Sequence, residues 1–181
     1  MTQITKEIIE THIDLIDNNE YDKLYDQLAY SCRYRSISDF TKTLLQAGIN
    51  PLNYLTRIPE AYMWRSDITT LHNIPRAITD IGDSAYAVCE SLTSIILPEK
   101  IGYIGHSAFD GCNHLSYVEL PKSLQRIRSG AFQSCDQLKE VIYHGTTDQW
   151  NHIEIAESAF PYDHQVNIKC TDGTVILHEE V

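Results

Sequence analysis

Along the C-terminal two-thirds of the chain, apolar side chains recur with a period that is neither helical nor that of a strand: it is 23 residues. From Leu92 the chain reads LTSIILPEKIGYIGHSAFDGCNH, from Leu115 LSYVELPKSLQRIRSGAFQSCDQ, and from Leu138 LKEVIYHG before the pattern is interrupted. Leu92, Leu115 and Leu138 are equivalent, as are Ile95, Val118 and Val141, and Pro75, Pro98 and Pro121. Ile78, Ile101 and Leu124 follow, then Ile81, Ile104 and Ile127. The pairs Ala85-Tyr86, Ala108-Phe109 and Ala131-Phe132 come next, and Cys89, Cys112 and Cys135 close each unit. Such self-similarity predicts a solenoid, because one unit cannot bury its apolar residues alone and stacked units share a continuous column. Gly82 and Gly105 are expected at turns with unusual torsions.

After Val141 the register breaks. Ala159-Phe160 arrives 28 residues after Ala131-Phe132, so five residues are inserted around GTTDQWNHI, and Trp150 is expected to cover the end of the column. VNIKCTDGTVIL then alternates as two short strands about Asp172-Gly173, a hairpin turn signal. The N-terminal third changes to a helical period. Ile8, Ile9, Ile13 and Ile16 share one face behind Thr5 as a cap, and a second helix runs from Asn19 through Tyr21, Leu24, Tyr25 and Leu28. A third is capped by Ser36 or Ser38, turns Phe40, Leu44 and Leu45 inward and ends at Gly48, and Asn50-Pro51 restarts a short one. These helices are expected to cover the open apolar end of the first coil.

The repeated units resemble the BspA-like leucine-rich-repeat family, whose unit reads approximately LxxIxLPxxIxxIGxxAFxxCxx, over roughly residues 69 to 160. The resemblance implies a right-handed solenoid with a short strand at LxxIxLP, used mainly for protein interaction. GTTDQWNHI is similar to a terminal unit of that family. Three positions depart from the pattern: Arg128 stands where the family prefers Gly, His72 falls at the equivalent of Ile95, and Thr69 replaces the leading leucine. The first coil therefore reads as degenerate. The expected fold class is α/β, with a helical N-terminal cap over residues 1–66, a short right-handed leucine-rich-repeat solenoid with short parallel strands over 67–160, and a capping hairpin over 161–181.

Composition narrows the function. A hydrophobic content of 43% with 22% charged residues in 181 is ordinary for a soluble globular chain. No apolar run approaches the roughly 18 residues that span a bilayer, and the acidic, amphipathic N-terminus lacks the basic and apolar regions of a leader. The expectation is a cytoplasmic protein, in the host cytoplasm if phage-encoded, with no membrane partner. Of the net charge of −11, most sits in residues 67–181, which hold 16 acids against 7 bases. Such a solenoid repels phosphate backbones, so no direct nucleic-acid contact is expected and a basic protein surface is the better match.

Catalytic chemistry finds no support. His106, His114, His144 and His152 form no HExxH or HxH pattern and read as solvated surface residues. Cys89, Cys112 and Cys135 follow the repeat and read as buried thiols; Cys32, beside Arg33 and Arg35, reads as a packing residue at a helix end. Phosphate-loop, dinucleotide-binding and nucleophile-elbow motifs are all missing, and no carboxylate pair stands out by spacing. The expectation is therefore a chain that is not an enzyme, with no catalytic residue, metal or cofactor.

The strand face is the better candidate. Ser94 and Ile96, Tyr117 and Glu119, and Glu140 and Ile142 are expected to form adjacent rows, with Ile96, Tyr117 and Ile142 as exposed anchors among carboxylates. Ordinary strand residues would give the same pattern. A second cluster joins Tyr30, Tyr34, Tyr62 and Trp64 to Arg33, Arg35 and Arg65, where packing at the helix-to-solenoid junction is the plainer reading. The function expected is a non-enzymatic protein–protein interaction module. Small proteins similar to this one occur in bacteria and bacteriophages, which suggests a phage or mobile-element product that modulates a host protein. The alternative is an acidic nucleic-acid mimic that inhibits a DNA- or RNA-processing enzyme. A third reading, a carbohydrate-binding or catalytic site around Trp150, His152 and His144, requires Trp150 to be exposed.

Overall fold

The computed structural model describes residues 37–177 except 47, 49 and 54. Its helices are α1 (Ile37–Gln46), a 3-10 turn at Pro51–Asn53 and α2 (Thr147–Asn151). Its strands are β1 (Arg57–Ile58), β2 (Thr70–Leu71), β3 (Asp80–Ile81), β4 (Ser94–Ile96), β5 (Tyr103–Ile104) and β6 (Tyr117–Leu120). They continue as β7 (Arg126–Ile127), β8 (Glu140–Tyr143), β9 (Glu154–Ile155), β10 (Val166–Lys169) and β11 (Thr174–Leu177).

Each coil crosses two sheets. The odd-numbered short strands build a five-stranded sheet in the order β1-β3-β5-β7-β9, and the LxxIxLP strands build a six-stranded sheet in the order β11-β10-β8-β6-β4-β2. Every pairing is parallel except the β10–β11 hairpin, which turns at Asp172-Gly173. The result is a parallel β-solenoid of about five coils with few helices. Strands of two to four residues suffice because their hydrogen bonding runs from coil to coil, while turns within each coil close bonds such as Leu92 N–H to the Cys89 carbonyl. The helices expected over residues 5–28 lie outside the described residues. Among those described, no helix is long and apolar enough to cross a membrane.

Between the sheets runs the predicted column. Tyr86, Phe109, Phe132 and Phe160 stack in order with ring centroids 5.6, 5.3 and 5.2 Å apart and nearly parallel planes. Tyr62 meets Tyr86 edge-on at the N-terminal end, and Trp150 packs on both Phe160 and Tyr143 at the other. Offset stacks of this kind add roughly 0.5–1.5 kcal/mol per pair beyond the area they bury. The cysteines form a second ladder: the thiols of Cys89, Cys112 and Cys135 point at the carbonyls of Met63, Tyr86 and Phe109, at 3.2, 3.3 and 3.3 Å.

The repeat register reaches further upstream than the sequence pattern suggested. Ile58 pairs with Ile81, and Ser66 occupies the cysteine position, buried and beside the Cys89 thiol. Residues 55–66, assigned by sequence to the helical cap, thus follow the solenoid path. The first coil also differs from its reading. Leu71, not His72, pairs with Ile95, and Thr70 pairs with Ser94, so β2 sits one residue earlier within a coil that still measures 23 from Ser66 to Cys89. Sliding by one residue would turn a histidine into the column and a leucine out of it. The shift leaves one residue fewer between Ser66 and β2 and one more after it, in the exposed His72-Asn73 stretch, with Ile68 and Leu71 packed against the core and Ile74 buried.

Two further expectations are corrected. Gly82 and Gly105 have no positive φ; glycine is needed there because the preceding coil's backbone comes too close for a Cβ. Leu45 of α1 is 38% exposed, whereas Leu44 is fully buried. Ser38 lies within α1, and its hydroxyl donates to the Trp64 carbonyl at 2.9 Å, tying the helix to the coil. Gly48, with φ +78°, ends α1 as expected.

Left-handed residues occur twice per coil, at Ala61, Ser84, Ser107 and Gly130 and again at Arg65, Val88, Gly111 and Ser134. Val88, at φ 58°, is the most strained, since a β-branched side chain is poorly tolerated there. Val88→Asn is expected to raise the unfolding free energy by about 1 kcal/mol in urea titrations. A decrease would mean that the contacts of the half-buried valine outweigh its backbone strain.

Candidate protein-interaction face

The outer face of the six-stranded sheet is built by strand alternation. In β6, Val118 and Leu120 turn inward and are fully buried, so Tyr117 and Glu119 turn outward; β4 and β8 repeat this with Ile95 and Val141. Register then sets the rows. Ser94 lies beside Tyr117, and Ile96, Glu119 and Ile142 lie side by side across β4, β6 and β8. Glu140 of β8 faces Asn167 of β10, and Ile142 faces Lys169. The six residues proposed from sequence therefore share one face.

Their exposure is uneven. Tyr117 is 41% exposed, and Ile176 of β11, beside Asn167 on the same face, is 42% exposed. Ile96 and Ile142, expected to be exposed, are half-buried, each flanked in register by Glu119 of the strand between them. Towards β6 the face therefore presents Tyr117 and the polar groups around it.

Those polar groups are organised. The Tyr117 hydroxyl donates to Glu119 Oε1, and His144 Nε2 lies 2.9 Å from Glu119 Oε2. The hydrogen bond from Tyr117 first, and then that from His144, hold the Glu119 carboxyl below its ordinary range, so it is ionised at neutral pH. The same bond raises the Tyr117 phenol. His72 Nε2 pairs with the Ser94 hydroxyl at 2.8 Å, and Lys169 Nζ is 3.8 Å from Glu140 Oε2. His72, His144 and Lys169 were not picked out by the repeat pattern. They sit just beyond or outside the regular strand positions, and only the stacking of coils brings them to the carboxylates.

The other candidates separate clearly. Trp150 is 2% exposed and caps the column, held by a helix whose capping box joins Thr146 and Gln149, so the reading that needed it exposed is withdrawn. Tyr62 is buried against Tyr86, while Trp64 is 39% exposed with the Arg65 guanidinium 5.3 Å from its ring centroid. Cys32, Tyr30, Tyr34, Arg33 and Arg35 lie outside the described residues. Burial pushes the Cys135 thiol well up, and the hydrogen bond to Cys89, then burial, does the same to Cys112, which favours their neutral thiol forms. His106 contacts Arg128, His114 pairs with the Glu90 carbonyl and His152 with the Asp148 carbonyl, all at the surface. Among the described residues, no three His, Cys, Asp or Glu side chains converge as a metal site requires.

A family model of the BspA type leucine rich repeat region matches residues 56–179 in six copies. Among solved structures, the chain is similar to a leucine rich cell surface protein from Faecalibacterium prausnitzii, at 23% identity and a TM-score of 0.48, over 56% of this chain and 33% of that one. It is also similar to a leucine rich repeat protein of T. pallidum, at 21% identity and a TM-score of 0.43, over 60% of this chain and 64% of that one. A leucine-rich repeat protein from Bacteroides ovatus matches at 18% identity and a TM-score of 0.37, over 66% of this chain and 49% of that one. The chain thus spans between a third and just under two-thirds of the length of these structures. No curated protein matches it.

Proposed function

The chain belongs to the BspA type leucine-rich-repeat family, and from that premise we propose that it is a non-enzymatic protein-binding module whose contact face is the outer surface of the six-stranded sheet. Repeats of this family are generally protein-interaction modules. The observation that carries the assignment is Tyr117: a large aromatic, 41% exposed, at the middle of the parallel sheet with an ionised carboxylate bonded to its hydroxyl. An aromatic anchor ringed by polar groups is the usual composition of an interface centre. Ser94, Ile96, Glu119, Glu140 and Ile142 complete the face, and the acidic excess of the solenoid favours a partner with a basic surface.

Capture of partners from a bacterial lysate on the immobilised chain, compared with a Tyr117→Ala, Glu119→Lys, Glu140→Lys variant, tests this reading. The expected result is a protein partner retained by the wild type and weakened at least about a hundredfold by the triple variant, since a central aromatic and two charges each contribute on the order of 1–2 kcal/mol. Retention of the partner by the variant would refute the face. A phage-encoded, host-directed role further predicts that the captured protein is a cytoplasmic host protein. The nucleic-acid-mimic reading predicts instead that DNA competes for the partner and that salt weakens binding steeply.

A further inference from the structure

The six-stranded sheet ends at β11, on an edge that is unpaired among the described residues. Strand phase fixes which backbone groups are left over there. Asn167 N–H bonds the Lys139 carbonyl on the β8 side of β10, and Cys170 N–H bonds the Gly173 carbonyl on the β11 side. The main-chain groups of Ile168 and Val175 therefore face each other across the hairpin, and those of Thr174 and Ile176 point away from it. Outward N–H and C=O groups in an extended strand are a template for one more strand.

This edge lacks the usual defences. Edge strands that stay single commonly carry a lysine, a proline or a bulge, whereas β11 reads Thr-Val-Ile-Leu and pairs with β10 residue for residue. The other sheet edges, β1, β2 and β9, are only two residues long, and β1 and β9 carry Arg57 and Glu154. Apolar cover is incomplete at β11: Ile176 is 42% exposed on the outer face, and Val175 and Leu177 pack on the core from the inner face yet stay half-buried. The nearest charges are engaged elsewhere. Asp172 accepts the Thr147 N–H at 2.7 Å, and Lys169 Nζ lies 3.8 Å from Glu140 Oε2. Two acidic chains can thus approach here without opposing carboxylates.

An uncharged strand suits this edge, and β11 of a second copy is one. About a two-fold axis through Val175, Thr174 of each copy falls opposite Ile176 of the other, so every outward backbone group of the two residues is paired. Val175 then meets its own equivalent in the closer, non-hydrogen-bonded position, a favourable contact for β-branched side chains. β11 also carries the six-stranded sheet one strand past β10, while the other sheet stops at β9. The two β10 strands would lie three strand spacings apart, roughly 14 Å, which separates the capped ends of the solenoids.

We propose that two copies of the chain join end to end through β11, merging their six-stranded sheets into one. This seam does not depend on the function of the outer face. Isologous two-fold pairing is the commonest form of self-assembly, and a seam of four residues per copy gives a weak dimer. The test is sedimentation velocity of the full chain over about a hundredfold range of concentration. A reversible monomer–dimer equilibrium is expected, weakened about tenfold by Ile176→Lys. Adding Thr174→Glu to that variant restores it, because each new carboxylate faces the new ammonium of the other copy. Glu119→Lys leaves it unchanged. Thr174 and Ile176 are both exposed, and an unchanged circular dichroism spectrum and Tm confirm the fold. The proposal is overturned if the chain stays monomeric throughout, if Ile176→Lys dimerises as tightly as wild type, or if Thr174→Glu fails to restore pairing. A segment of the same chain lying on the edge would give a monomer whose Thr174 and Ile176 amides resist hydrogen exchange at every concentration, which also overturns it.

Discussion

Replacing Phe109 with alanine should lower the unfolding free energy by about 4 kcal/mol. The ring is fully buried and stacked on both faces, on Tyr86 at 5.6 Å and on Phe132 at 5.3 Å. Its removal leaves a void in the middle of the column that rigid coil-to-coil hydrogen bonding cannot close, because Phe109 N–H bonds the Ala131 carbonyl and pins the backbone in place. Two stacking contacts are lost besides the buried area. Because each coil is stabilised only by its neighbours, the damage also uncouples the two halves. Equilibrium urea unfolding is therefore expected to shift to a lower midpoint and broaden into two phases. A loss below about 2 kcal/mol would show that the coils collapse onto the gap, as smaller cavities do.

The second large effect falls where no apolar side chain is involved. Gly105→Val is expected to cost about 3 kcal/mol. A Cβ at Gly105 would lie 2.5 Å from Asp83 Oδ1 and 2.7 Å from both the Asp83 nitrogen and the Gly82 carbonyl carbon. The last two are backbone atoms held by the coil ladder, so the substitution must push adjacent coils apart. Gly102→Ala is the matched control three residues away. Its Cβ has room, and its stability is expected to change by no more than about 0.5 kcal/mol. If both variants unfold alike, close approach of coils is not what requires glycine at position 105.

Much of this molecule was legible before its structure. The positions of Leu92, Ile95, Ile104, Phe109 and Cys112 follow from a period at which the same residue types return, and all five are fully buried. The hairpin about Asp172-Gly173 and the cap at Trp150 were equally readable, because each rests on a local signal. The first coil was not. Counting back by 23 put His72 inward, and only the pairing of Leu71 with Ile95 revealed the one-residue shift of β2. Nor did residues 55–66 announce themselves, since Tyr62, Met63 and Ser66 stand where later coils carry alanine, an aromatic and cysteine. A family model that includes them from residue 56 accords with the register.

By itself, then, the sequence determined the length of a coil, which side chains enter the column and which alternate outward on the strands, because burial acts on residue type at fixed spacing. What only the tertiary structure decided is which residues of different coils meet. Glu119 gains Tyr117 from its own strand but His144 from 25 residues away; Arg126 finds Glu154 across 28; Gly105 yields to the backbone of the preceding turn. These contacts depend on how neighbouring coils register and how closely they stack. That is set by hydrogen bonds between turns, which carry no side-chain signature along the chain.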